Sequence, residues 1–160
     1  MVTTMSRNGS YFRYKVSVGW NKLPSTRSYD IIGIGFNDNV YIASSVYFNY
    51  SYYLSDGSCQ TSTLYYNRKS TSTGGSIVYK LPGSQARSIS SVLYYDVAKN
   101  TSDPITRLDM YGDYAHAISN VGSSQYTNYG INRYGIVLYD NTPDYYDEIP
   151  CAQSTCGGTW

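Results

Sequence analysis

Between Tyr11 and Trp20 the chain reads YFRYKVSVGW, and every second residue is large and apolar. Phe12, Tyr14, Val16, Val18 and Trp20 fall on one face, while Tyr11, Arg13, Lys15, Ser17 and Gly19 fall on the other. A period of two with this polarity is a half-buried strand and does not suit a helix face. The rule recurs in VYIASSVYFNYSYYL, Val40 to Leu54. There Val40, Ile42, Val46, Phe48, Tyr50, Tyr52 and Leu54 share one face, interrupted by Ser44. Tyr41, Ala43, Ser45, Tyr47, Asn49, Ser51 and Tyr53 share the other. A strand usually runs about 5–6 residues, so this stretch should bend or bulge near Ser44 and Ser45. Tyr50 and Tyr52 are then expected inside, and Tyr41, Tyr47 and Tyr53 on an outer face.

SYDIIGIGF, ending at Phe36, sets Ile32, Ile34 and Phe36 opposite Gly33 and Gly35. Glycines within a strand suggest a bulge or a close backbone approach. NDN at 37–39 reads as a hairpin connection into the strand at Val40. Asp56-Gly57 signals a hairpin followed by a strand through STLYY, and Gly74-Gly75 signals another opening onto IVYKL. ITRLDMY, DYAHAIS and YGIVLYD are further strands. Ser84 to Asn100 fits either a helix, with Ser84 as N-cap, or a strand; its Ser, Tyr and Val content favours the strand. Short alternating segments between frequent turn signals indicate an antiparallel β-sandwich of about eight to ten strands over residues 1–160, its jelly-roll or immunoglobulin-like topology left open.

Composition limits what such a fold does. Charged residues are 14%, and the net charge is +1. This balance argues against nucleic-acid binding, which needs a basic domain or stripe. No run of eighteen apolar residues occurs, so membrane insertion by a helix is not expected. Tyr, Ser, Thr, Asn and Gly together make up over half of the chain. Its start lacks the charged and apolar regions of a signal peptide. With its uncharged polar surface and clustered cysteines it reads as a mature secreted or cell-surface segment.

EIPCAQSTCGGTW closes the sequence, and Cys151 with Cys156 reads as a small disulfide loop in the tail 151–160. A bridge from Cys59 to one of them is the alternative. Asp140, Asn141, Asp144, Asp147 and Glu148 crowd DNTPDYYDE. Asp140, Asp144, Asp147 and Glu148 form a weak candidate Ca2+ site, against the plainer reading of a solvated acidic loop. No other cofactor is expected. His116, the single histidine, shares a strand face with Tyr114 and Ile118 and reads as structural. No Gly-x-Ser-x-Gly elbow accompanies it, so enzymatic activity is not favoured.

Tyrosine remains. It offers rigid contact area at low entropy cost, and Ser, Gly and Asn add adaptable hydrogen bonds. Candidate ligand-binding residues are Tyr41, Tyr47 and Tyr53, with Tyr126, Tyr129 and Tyr134 as a second cluster. Against this stands the ordinary role of tyrosine in covering sheet faces. The leading expectation is a non-catalytic extracellular module that binds glycans or a cell surface. A self-assembling coat or surface protein is the alternative, and a small secreted hydrolase, inhibitor or toxin comes third.

Overall fold

A computed structural model describes residues 1–37, 39–140 and 142–157, without the side chains of residues 150 and 151. The strands are β1 (Val2–Asn8), β2 (Tyr11–Trp20), β3 (Tyr29–Phe36), β4 (Val40–Ile42), β5 (Tyr47–Leu54), β6 (Cys59–Ser62), β7 (Asn67–Thr71), β8 (Gly74–Lys80), β9 (Ala86–Lys99), β10 (Arg107–Ala117), β11 (Tyr129–Asn132), β12 (Gly135–Leu138) and β13 (Tyr146–Gly157). One helical turn, α1 (Ser123–Tyr126), precedes β11. All pairings are antiparallel. One sheet runs β1-β2-β9-β5-β6 with β4 also on β9, a second runs β13-β10-β3-β8-β7, and β11-β12 is a separate hairpin.

The two sheets pack as a sandwich. Tyr14, Val16 and Val18 of β2 meet Ile32, Ile34 and Phe36 of β3 in one core, all buried as their alternation requires. The long stretch from Val40 breaks where expected. β4 and β5 both pair with β9, and the Ser44 hydroxyl accepts the Asp96 N–H at 2.9 Å across the gap. Ser84–Asn100 is strand for most of its length, as β9. Its residues 89–94 pair with β2 on one side and β5 on the other, which outweighs any helical spacing.

Some boundaries differ from the sequence reading. The 37–39 connection leads from one sheet to the other and is no hairpin; Asp38 lies outside the described residues. Gly74 and Gly75 are strand residues of β8, with the turn before them. The strand after Gly57 begins at Cys59 and ends at Ser62, before Leu64 and the tyrosines. The C-terminal segment is the edge strand β13, paired with β10 from Arg107 to Ala117.

The hairpin β11-β12 lies on the outside of the second sheet. Tyr129, Ile131 and Ile136 pack there on Ile31, Val78 and Ala115 in a second core. β3 is therefore buried on both faces. Two polar clasps hold the hairpin. Lys69 donates to the carbonyls of Thr127 (3.0 Å) and Tyr129, its ammonium 4.2 Å from the Tyr129 ring. Asp113 accepts the N–H of Ile136 at 2.9 Å and that of Tyr114 at 2.8 Å.

Burial pushes the Asp113 carboxyl up to about 6; the two backbone donors oppose this, and Glu148 adds repulsion. A folded-state value above the unfolded one means that the folded protein binds the extra proton between about pH 4 and 6. Stability should therefore rise as pH falls through that window, by up to about 3 kcal/mol. Asp30, whose carboxyl burial also raises, acts in the same direction. Asp96 acts in the opposite sense. The hydrogen bond from Arg13 holds it below the usual carboxylate range, so its contribution disappears under about pH 4. Urea midpoints measured from pH 8 to 3 should peak near pH 4–5, and Asp113→Asn should flatten the neutral-side slope.

Candidate outer-face binding site

Side chains that leave β2, β9 and β5 away from the core form one continuous outer face. Cross-strand register aligns them in rows. Thr4, Lys15, Tyr94 and Tyr47 make one row; Val2, Ser17, Val92 and Asn49 the next; Gly19, Ser90, Ser51 and Thr61 a third; Ser88, Tyr53 and Cys59 a fourth. The middle rows combine small polar residues with Val2 and Val92, and Ser51 shares a hydrogen bond with Thr61 at 3.0 Å. Tyrosines rise at both ends of this floor. Tyr47 is 48% exposed and Tyr53 54%. They lie six positions apart on β5, roughly 20 Å along an extended strand. Tyr41, on β4, is exposed beyond the Tyr47 end, as is Tyr11 on β2.

One end is stiffened by stacking. The Tyr47 and Tyr94 rings lie parallel, 5.1 Å apart at 13°. Arg13 covers Tyr94 with its guanidinium carbon 4.9 Å from the ring centre. Arg13 is itself fixed by Asp96, through Nε to Oδ1 at 2.8 Å and Nη2 to Oδ2 at 3.1 Å, and Asn8 donates to the same Oδ2. Beside this stack lies a depression of about 390 Å³ lined by Thr4, Ser6, Arg13, Lys15, Val92 and Tyr94. Rigid aromatic walls over a hydroxyl- and amide-rich floor suit a ligand with apolar faces and polar edges.

The second tyrosine cluster does not assemble. Tyr129 is fully buried and shares a hydrogen bond with Ser76 at 3.0 Å, because β11 turns it toward the sheet. Tyr126 packs on Tyr29 at 4.5 Å, and Tyr134 meets Tyr111 edge-on at 5.5 Å with Arg133 over its other side. Sequence reasoning missed a different group. Tyr29, Tyr66 and Tyr126 touch in series, and the Lys80 ammonium lies 5.4 Å from the Tyr29 ring. These residues are far apart in the chain, and no local pattern announces them.

The acidic loop also fails to converge. Asp147 and Glu148 are neighbours on β13, so their side chains leave opposite faces of the sheet. Asp140 receives an amide hydrogen of Asn128 at 3.4 Å, and Asp144 is exposed in the turn 142–145. Among the described residues no group of three or more His, Cys, Asp or Glu could hold a metal ion; Asn141 lies outside them. The Cys151–Cys156 loop is likewise corrected. Cys156 and Cys59 are free thiols. The Cys151 side chain lies outside the described residues, but both cysteines belong to one extended strand. Five residues of strand span roughly 16 Å, whereas bridged Cα atoms lie within about 7 Å.

His116 is buried, as a structural histidine should be. Its Nδ1 lies 3.1 Å from Oδ1 of Asp30, whose carboxylate also accepts the Ala117 N–H at 3.0 Å and the Tyr114 hydroxyl. Tyr114 in turn accepts the Trp20 indole N–H at 3.0 Å. Among the described residues the hydrogen-bond partner of the His116 ring is Asp30.

No protein-family model matches the chain, and no curated protein matches it in sequence. Solved structures share its fold. One is a structure of manganese lipoxygenase of Gaeumannomyces graminis with part of zonadhesin of Komagataella pastoris, at 8% identity and a TM-score of 0.53, covering 99% of this chain and 46% of that one. A second is the collagen binding domain of surface protein RspB of Erysipelothrix rhusiopathiae, at 7% identity and a TM-score of 0.52, covering 97% and 48%. A third is ACE19, the collagen binding subdomain of surface protein ACE of Enterococcus faecalis, at 12% and a TM-score of 0.50, covering 96% and 90%. The chain thus spans about half the length of the first two.

Proposed function

We propose that the chain is a non-catalytic recognition module of a secreted or cell-surface protein, binding an extended extracellular polymer along the outer face of the β1-β2-β9-β5-β6 sheet. A glycan chain is the preferred polymer. The observation that carries this reading is the polar floor closed at both ends by exposed tyrosines. Sugar rings offer apolar faces for Tyr47 and Tyr53 and hydroxyls for Asn49, Ser51, Ser90 and Thr61. Two of the similar structures are collagen binding parts of surface proteins, which supports a polymer-binding role.

The test is a polysaccharide binding screen, with collagen included as a protein polymer and each sample run with and without calcium. Tyr47→Ala and Tyr53→Ala should each weaken binding about tenfold or more while the unfolding midpoint moves little, since stacking of one ring contributes on the order of 1–2 kcal/mol. Binding unchanged in both variants would remove the outer face from consideration.

Self-assembly is the second reading, favoured by one observation. Leu64, Tyr65 and Tyr66 are consecutive and exposed at 56%, 44% and 45%, next to the edge strand β7. Apolar side chains beside an unpaired strand edge are a common route to association between copies. Light scattering over a hundredfold concentration range separates a monomeric binder from an assembling protein.

A further inference from the structure

We propose that the depression beside Tyr94 is a carboxylate subsite, so that the polymer recognised by this face is an acidic, uronate-bearing polysaccharide. This inference rests on the polymer-binding reading above and names the chemical class of its ligand.

The depression has two cations in its wall and no free anion. Arg13 spends Nε and Nη2 on Asp96, and Asn8 occupies Asp96 further. Lys15 forms no ion pair or hydrogen bond among the described residues. It is half-buried between Thr4 and Tyr94, its cross-strand neighbours. The hydroxyls of Thr4 and Ser6 line the same hollow. Asp96 is the single acid in the aligned rows from Asn8 to Tyr53. The acids Asp144, Asp147 and Glu148 belong to the turn before β13 and to β13 itself, in the other sheet. The protein carries almost no net charge, so this face is locally positive by arrangement rather than by composition.

A carboxylate entering the depression would accept from Lys15 Nζ and from the two hydroxyls, while its sugar ring lies against the Tyr94–Tyr47 stack. The 390 Å³ volume falls in the range of small-ligand sites, about 300–1,000 Å³. Neutral hydroxyls and amides on the adjoining floor match the rest of a sugar chain. An acidic peptide would satisfy Lys15 but would leave those floor groups opposite its apolar stretches.

The deciding experiment compares polygalacturonate, alginate and hyaluronan, each against its own methyl ester, which has the same backbone without the charge. The protein should bind at least one free acid about tenfold more tightly than its ester, the worth of a charge-assisted hydrogen bond in a half-buried site. That preference should shrink as salt rises from 0.05 to 0.5 M. Lys15→Gln should bring the ratio close to one by weakening the free acid more than the ester; Tyr53→Ala, distant from the depression, should weaken acid and ester alike. Equal binding of acid and ester, or a preference that survives Lys15→Gln, overturns the carboxylate subsite and leaves the polymer reading in place. Failure to bind any polysaccharide, polyglutamate or collagen overturns both. Capture of polyglutamate with no polysaccharide bound overturns the sugar class in favour of an acidic peptide.

Discussion

Asp30→Ala is expected to lower the unfolding free energy by about 3–5 kcal/mol, the usual result of removing one partner from a buried charged group. Asp30 is fully buried and faces the sandwich interior beside Ile32. Its two oxygens serve three donors from β10: the Tyr114 hydroxyl, the His116 ring and the Ala117 N–H. Tyr114 relays the network to Trp20 on the opposite sheet. Alanine would leave all three donors without their acceptor in the sandwich interior. An unsatisfied buried donor costs about 1–3 kcal/mol, so the sum of three reaches the upper figure even if part relaxes. Urea unfolding of the single variants Asp30→Ala and His116→Ala and of the double variant measures how far the pair acts as a unit. The double variant is expected to lose much less than the sum of the two single losses, since each residue is costly chiefly when its partner is absent. A loss below 1 kcal/mol for Asp30→Ala would show that the network is not what ties β3 to β10.

This network marks where sequence reasoning stopped short. Period two placed Tyr14, Ile32, Ile34, Val16 and Phe48 in the core, and they are there. The same arithmetic puts Asp30 on the face of Ile32 and Ile34, so an acid at a core position was visible. Its partners were not, because Tyr114 and His116 lie more than eighty residues away and only the β3-β10 register brings them near. The outward tyrosines of β4 and β5 were legible because one buried face fixes the other. Tyr129 was not, since a four-residue strand in a hairpin gives too short a pattern to say which face is covered. The acidic loop misled for a related reason. Proximity along the chain suggested convergence, whereas a strand sends Asp147 and Glu148 apart. Cys151 and Cys156 failed in the same way, as a loop closure needs a turn and β13 is extended.

Two glycines, both read from the sequence as strand residues, should separate stability from recognition. At Gly35 an added methyl carbon would lie 2.3 Å from the Asn132 carbonyl oxygen and 2.6 Å from the backbone of Arg133. Backbone atoms cannot rotate aside, so Gly35→Ala must lift the β11-β12 hairpin off β3. Overpacking of this kind costs about 1–3 kcal/mol, and partial exposure of Ile131 and Ile136 adds to it. A loss of about 3 kcal/mol in urea unfolding is expected, with faster tryptic cleavage after Arg133 as the hairpin opens. At Gly19 the nearest atom to an added methyl would be the Ile89 carbonyl oxygen at 3.9 Å, an ordinary contact. Gly19→Ala should therefore be neutral or stabilising by up to about 1 kcal/mol through the unfolded chain. Gly19 also lies in the polar floor of the outer face, in the row of Ser90 and Ser51. Its methyl group would stand where a polymer must approach the backbone, so polymer affinity should drop in Gly19→Ala while stability holds. Gly35→Ala, on the far sheet, should show the reverse under conditions where it remains folded. If instead both variants lost affinity in proportion to stability, binding would depend on the rigidity of the whole sandwich, and the outer face would lose its claim to be the site.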